Sequence, residues 1–236
     1  MKIGFGKACV TPPLGMSMEG LGQKGGCRTV HDDLFVRVLR ATHARREVLI
    51  IAYDLLFLER PFVDRIRMGI EARFGLPAEQ VLLNFSHTHA GPRLTRWCYS
   101  GKGDPAYLDR VYGATLDAVA TASRDQADVI LWAGMARTEM PVSRRKLGPD
   151  GKAQWAPCRK GVICSALPFC LFKDQQGRVV SLLFSVSCHP SMIYSLDISA
   201  DYPGAAVRRL NQHYGTEGSV FLQGAGGDTK PRQIAV

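Results

Sequence analysis

Glu47-Val48-Leu49-Ile50-Ile51-Ala52-Tyr53 is a short apolar run that stops at Asp54. Its length and its Val and Ile content read as a β-strand buried on both faces. Just downstream, Phe62, Ile66, Ile70 and Phe74 recur every four residues and mark one face of a helix, which Gly75 ends. Residues 81–85 (VLLNF) then read as the next strand. Strand, helix and strand in such close succession point to an α/β fold.

Working outward, residues 34–42 alternate as a strand, and 105–124 read as a helix with Leu108, Val111, Tyr112, Leu116 and Val119 inward. Residues 128–138 return as a strand. Residues 141–165 are polar and rich in Pro, Gly and Arg, which predicts a long loop. Two strands near 166–173 and 178–187 follow, joined by a turn at Asp174 to Gly177, then a helix from Tyr202 to Tyr214 and a strand at 219–223. The expectation is an α/β fold in which mixed sheets are flanked by helices. No repeat divides residues 1–236, so they read as one unit. The last strand runs into Gly224-Ala225-Gly226-Gly227-Asp228, a turn that ordinarily leads into a helix, and the sequence given ends soon after. On that ground the expectation is an incomplete catalytic domain with an unpaired sheet edge, and hence aggregation or a homodimer.

Composition narrows the class. Of 236 residues, 46% are hydrophobic and 22% charged, with 30 Lys plus Arg against 21 Asp plus Glu, a net charge of +9. This excludes a disordered tail, a collagen-like fibre and a disulfide-dense miniprotein. No apolar run approaches the roughly 20 residues that span a bilayer, and Met1 to Lys7 lacks the apolar stretch of a signal peptide, so a cytoplasmic location is expected. The 7 cysteines include no CxxC pair, which argues against a structural zinc knuckle and for reduced, mostly buried thiols; Cys164 and Cys170 have apolar flanks. Basic residues cluster only briefly, at Arg45-Arg46, Arg144-Arg145-Lys146 and Arg208-Arg209, with no nucleic-acid-binding motif beside them. Nucleic acid is therefore not an expected partner, whereas peripheral contact with an anionic membrane or an acidic substrate stays open.

Chemistry concentrates where apolar strands end. Ser86-His87-Thr88-His89-Ala90-Gly91-Pro92 follows the strand at 81–85. If strand geometry persists, His87 and His89 project from the same face, suiting a metal or a ligand and acid/base pair; two hydrogen-bonded surface histidines are the alternative. Cys188-His189-Pro190-Ser191 follows the strand at 179–187, so a second strand delivers histidine at the carboxyl end, where open α/β sheets place ligands. Three imidazoles at strand ends favour a metal. His31, His43 and His213 lie in polar settings and read as structural or solvated. In Ile198-Ser199-Ala200-Asp201-Tyr202-Pro203-Gly204, Ser199 or Asp201 reads as a helix cap, or Asp201 as the partner that orients a metal-bound histidine. The glycines of 224–228 allow backbone N–H groups to approach a substrate oxygen, or simply form a tight turn. Arg144 suits a substrate oxygen or carboxylate, or an exposed basic loop.

Taken in order, these segments resemble the neutral/alkaline non-lysosomal ceramidase family. The matching pieces are Thr11-Pro12-Pro13-x-Gly15, Met18-x-Gly20, Asp54 after its strand, His87-Thr88-His89-Ala90-Gly91-Pro92, Ser143-Arg144-Arg145, His189-Pro190-Ser191, Ser199-Ala200-Asp201-Tyr202-Pro203-Gly204 and Gln223-Gly224-Ala225-Gly226-Gly227-Asp228. The resemblance implies a zinc-dependent hydrolase of linear amides, ceramide-like N-acyl lipids or related amides, acting through metal-activated water. It implies that His87 and His189 bind Zn2+, that His89 contacts the reacting carbonyl or shuttles a proton, and that Arg144 binds substrate oxygen. Two departures accompany it. The family's further zinc ligands, a Glu and a Tyr, have no counterpart in these residues, and Lys230 stands where well-known ceramidases carry serine before proline. Those departures favour, as the rival reading, a non-catalytic pseudoenzyme or binding module of the same fold.

Overall fold

The structure is a computed structural model that describes residues 1–20, 25–94 and 103–233. In chain order the strands are β1 (Lys2–Cys9), β2 (Met18–Gly20), β3 (Thr29–Val30), β4 (Phe35–His43), β5 (Arg46–Tyr53), β6 (Val81–Phe85), β7 (Ala90–Pro92), β8 (Gln126–Asp128), β9 (Ile130–Arg137), β10 (Pro141–Leu147), β11 (Ala153–Cys158), β12 (Ala166–Lys173), β13 (Val179–Val186), β14 (Asp197–Ile198), β15 (Ser219–Gln223) and β16 (Thr229–Pro231). The helices are α1 (Arg60–Phe74), α2 (Pro105–Arg124) and α3 (Asp201–Tyr214).

A five-stranded sheet in the order β6-β5-β4-β1-β8 is the inner layer. β5 runs antiparallel to β4 and parallel to β6, the crossover to β6 being made by α1. Its alternation separates two cores. Leu49, Ile51 and Tyr53 join Val36 and Val38 against Ile66 and Ile70 of α1 and Val111 and Val119 of α2. Ile50 and Ala52 face the other way, with Ile3 and Leu39, onto Phe172 and Val220 of a second sheet. Both faces of β5 are thus covered, as its uninterrupted apolar run predicts; only Arg46 and Val48, at its start, are exposed.

The second sheet has the order β15-β13-β12-β9, with β13 and β15 parallel. Its far face carries Leu182, Phe184, Val186 and Phe221 against Val207 of α3. The layers therefore run helix, sheet, sheet, helix, which confirms the α/β expectation of mixed sheets flanked by helices. Burial of each such Leu, Ile, Val or Phe side chain contributes about 1.5–3 kcal/mol.

Local chemistry sets the helix ends. Gly75 closes α1 with φ of 69° and its N–H on Glu71 O at 2.9 Å. Asp104 caps α2 by accepting from Ala106 N and Tyr107 N, with Pro105 in the first turn. α2 lies directly on β1 because Gly4 and Gly6 present no side chain there. A Cβ at Gly6 would sit 1.9 Å from Ala118 O.

Three expectations are corrected. The strand at 128–138 is two strands in two sheets, because buried Val129 marks the crossing from β8, paired with β1, to β9, paired with β12. Residues 141–165 are not a long loop: β10 and β11 form a hairpin whose outer part is largely exposed, and β10 also pairs with β16. The cysteines are free, but among the described residues only Cys27 and Cys188 are buried, and Cys164 and Cys9 are exposed; Cys98 lies outside the described residues. His31, His43 and His213 are exposed, as their polar settings suggest. Among the described residues no helix is long and apolar enough to cross a membrane.

Candidate metal centre

The two sheets meet where β6, β13 and β15 end. β6 carries one polar residue in its apolar run, Asn84, whose side chain accepts from Gln223 N at 2.8 Å and donates to Gln223 O at 3.2 Å. This double hydrogen bond ties the inner sheet to the end of β15. The sequence reading passed over Asn84, although an amide inside VLLNF is a signal in itself.

Beyond β6 the chain keeps pairing for two residues, Ser86 N to Tyr53 O at 2.8 Å and His87 N to Leu55 O at 3.0 Å. His87 then adopts φ of 68°, in the left-handed region, so strand geometry does not persist through the HTH segment. The two imidazoles still converge, but through this kink rather than by alternation. Thr88 turns inward, fully buried, and donates to Ser199 O at 2.7 Å. β7 pairs with β2, and a Cβ at Gly20, whose φ is 140°, would come within 2.7 Å of His89 Cα. That close approach requires glycine.

His189 arrives from the second sheet. Cys188 O accepts from Tyr202 Oη at 2.6 Å and from Gln223 Nε2 at 3.1 Å, fixing the backbone before it. Asp201 fixes the backbone after it. Its Oδ2 accepts from Met192 N at 2.8 Å and Ile193 N at 3.1 Å, its Oδ1 from Tyr202 N at 2.6 Å. Asp201 therefore shapes the loop behind His189 rather than bonding to the ring, while Ser199 Oγ takes the N–H of Asp201 at the start of α3.

The three rings meet with centroids 4.6–5.0 Å apart, and their ligand atoms all lie within 4.8 Å of one another. His87 Nδ1 faces Leu56 O at 3.0 Å and His189 Nδ1 faces Gly226 O at 3.3 Å. Each contact makes Nδ1 the donor and leaves Nε2 as a lone pair directed at the cluster. His89 Nε2 and His189 Nε2 are 2.8 Å apart. Burial, then the neighbouring His87 charge, holds His89 down at about 4. Burial, His89 and Arg144 hold His189 down at about 3, and burial likewise lowers His87. Three neutral nitrogen donors in one half-buried corner are a donor set suited to a divalent metal.

Arg144 stands on β10 beside this corner. Its Nε donates to Gly227 O at 3.0 Å, and its guanidinium lies 4.0 Å from the Trp155 ring centroid. Its charge reaches all three histidines. The glycine-rich segment spends the N–H groups of Gly224 and Gly226 on Val186 O and on Gly224 O. It is thus a tight turn that offers a carbonyl to His189, not an N–H cradle at those two residues. Lys230 lies in β16, opposite Val142. A cavity of about 390 Å3 opens beside His87 and His189, walled by Leu56, Phe57, Leu83 and Phe85. The structure therefore brings together His87, His89, His189 and Arg144. Gly20 and Gly226, from motifs already quoted, border the site, whereas Trp155 and Asn84 are neighbours that sequence reasoning did not single out.

Fold and site together define a four-layer α/β domain with a three-imidazole corner at its strand ends. No protein-family model and no curated protein sequence matches the chain. Among solved structures, it is similar to neutral ceramidase from Pseudomonas aeruginosa, with a TM-score of 0.82 and 17% identity over 98% of this chain. It is equally similar to a ceramidase complexed with C2, with a TM-score of 0.82 and 18% identity over 98% of this chain. The chain spans 39% of the first of those structures and 38% of the second. It has a ceramidase-like fold.

Proposed function

We propose that the chain carries part of the active site of a metal-dependent hydrolase that cleaves a linear amide, of the ceramide-like N-acyl lipid class. The observation that supports this most directly is the convergence of His87, His89 and His189 from two different sheets, with His87 and His189 on the rim of a largely apolar cavity. His87 and His189 would hold Zn2+, since a backbone carbonyl on each Nδ1 presents the opposite nitrogen. Bound zinc would supply Lewis acidity and a nucleophilic water near neutral pH.

The remaining work falls to side chains. His89, neutral at pH 7, takes the proton released during attack and returns it to the departing amine. Arg144, braced by Gly227 O and Trp155, holds the substrate oxygen by charge-assisted hydrogen bonds. Leu56, Phe57, Leu83 and Phe85 cover the apolar part of the substrate and exclude water from it.

The test is zinc content by elemental mass spectrometry, measured beside cleavage of a short-chain N-acyl amide. His87→Ala and His189→Ala are expected to lose stoichiometric zinc, and His89→Ala to retain it while turnover falls by about 10²–10⁴-fold. Zinc loss in His89→Ala as well would make it a third ligand, a reading that the shared 4.8 Å cluster also accommodates. Wild-type protein that takes up no zinc would overturn the proposal.

A further inference from the structure

We propose that the β10–β11 hairpin is a docking surface for an anionic lipid bilayer. Residues 141–165 hold six basic residues against one acid, Asp150, a net of +5 out of the chain's +9. The base of the hairpin is buried at Pro141–Ser143 and stitched to β16. Beyond it both strands are largely in solvent.

The arrangement of side chains there is amphipathic. Arg145 pairs with Trp155 and Leu147 with Ala153, so Leu147 and Trp155 are diagonal neighbours on one face. Trp155 is 66% exposed and Leu147 72%, while Val162, in the segment after β11, is 91% exposed. Exposed Trp155 and Leu147 thus share one face of the hairpin with Arg145, and Val162 adds a separate exposed aliphatic group in the basic segment that follows. Around them Arg145, Lys146, Lys152, Arg159 and Lys160 are all exposed. Arg145 meets Asp228 at 3.3 Å, and the other four have no carboxylate partner among the described residues.

An indole flanked by guanidinium groups, at 4.0 and 4.6 Å, suits the bilayer interface, where the ring sits at headgroup level and the cations meet lipid phosphates and carboxylates. Leu147 and Val162 add short apolar anchors. Nucleic acid would use the charge but not these aliphatic groups, whose burial requires an apolar medium. Each basic residue held near an anionic surface contributes about a fivefold gain in binding. Arg144 belongs to the same hairpin as it reaches the histidine corner, so docking would bring the cavity to the lipid surface.

This inference needs neither metal nor turnover, and its test separates it from the hydrolase reading. The full chain is sedimented with vesicles of phosphatidylcholine alone and of phosphatidylcholine with phosphatidylserine, in chelator, across a salt series. Binding is expected only to the mixed vesicles, weakening as salt rises. K146E/K152E should lower it by at least tenfold, and L147S/V162S should remove the fraction that survives high salt. All four sites are exposed, so unchanged thermal melts serve as the folding control. His189→Ala should bind vesicles like wild type even if it lacks zinc. Failure to bind mixed vesicles at low salt would overturn the inference. So would binding unaffected by the hairpin substitutions, or tighter hairpin-dependent binding to a single-stranded RNA oligonucleotide.

Discussion

The inner and outer sheets are built from similar residues and fare differently. β5 and β9 are both eight residues long and rich in apolar side chains. Ile51 of β5 is fully buried, whereas Leu131 of β9 is 45% exposed, and Ile130, Trp132 and Met135 are more exposed still. The difference is position in the layers. β5 has a neighbour on each side, helices on one face and a sheet on the other. β9 is the last strand of its sheet, and the inner sheet does not extend over it. On the far face a groove of about 440 Å3 lies between α3 and β12, floored by Leu167, Phe169 and Leu171. The same sequence signal thus specifies a strand in both places, but only the stacking order decides whether it is buried. The site straddles this divide, with His87 and His89 from the inner sheet and His189 from the outer.

Matched glycines sharpen the contrast most. Gly6→Ala places a Cβ 1.9 Å from the backbone oxygen of Ala118 in α2, which can yield only if the helix lifts off β1. Urea unfolding should show a loss of about 4 kcal/mol or more, or no cooperative transition. In β9, Gly134→Ala meets the tip of the Phe169 ring at 2.5 Å, and that ring borders the open groove, into which it can swing. The loss there should stay below about 1 kcal/mol. Equal losses at the two glycines would refute the view that the outer sheet is the more yielding.

Truncations give the next largest effect. Ile51→Ala removes a fully buried side chain from the inner core and should cost about 2–5 kcal/mol by the same assay. Leu131→Ala should cost about 1 kcal/mol or less, since much of that side chain is already in water. A large loss at Leu131 would mean that something covers β9 in solution.

How far the sequence could be read follows the same division. β4, β5, β6 and the helix faces of α1 and α2 were legible, because one-sided burial gives the helices a regular apolar period and burial of both faces gives β5 an unbroken apolar run. The three histidines were legible from their place after apolar strands, and Arg144 from the motif around it. The β10–β11 hairpin was not, since its strands point arginine, lysine and glutamine into solvent and carry little apolar pattern. Nor was the break at Val129, which depends on two sheets competing for one segment. The left-handed turn at His87 and the role of Asp201 are tertiary. They arise from hydrogen bonds to Leu55, Leu56, Met192 and Ile193, which are distant in sequence or on another segment.

The smallest expected effect concerns acid, and it tests the joint between the sheets. In metal-free protein His89 and His189 are held down at about 4 and about 3, from an ordinary value of 6.5, chiefly by burial. A histidine whose folded pKa is depressed binds fewer protons folded than unfolded, so the stability it permits is complete above 6.5 and declines as pH falls toward the folded values. Thermal midpoints in chelator should hold steady above pH 6.5 and drop between there and pH 4. The double variant H89A/H189A should flatten most of that slope, because it removes the two most strongly depressed of the three histidines. Zinc uptake should fall over the same interval, since protons and metal compete for the same nitrogens. If the slope survived in H89A/H189A, these two histidines would not be its source, and the His89–His189 contact between the sheets would not be the acid-labile joint.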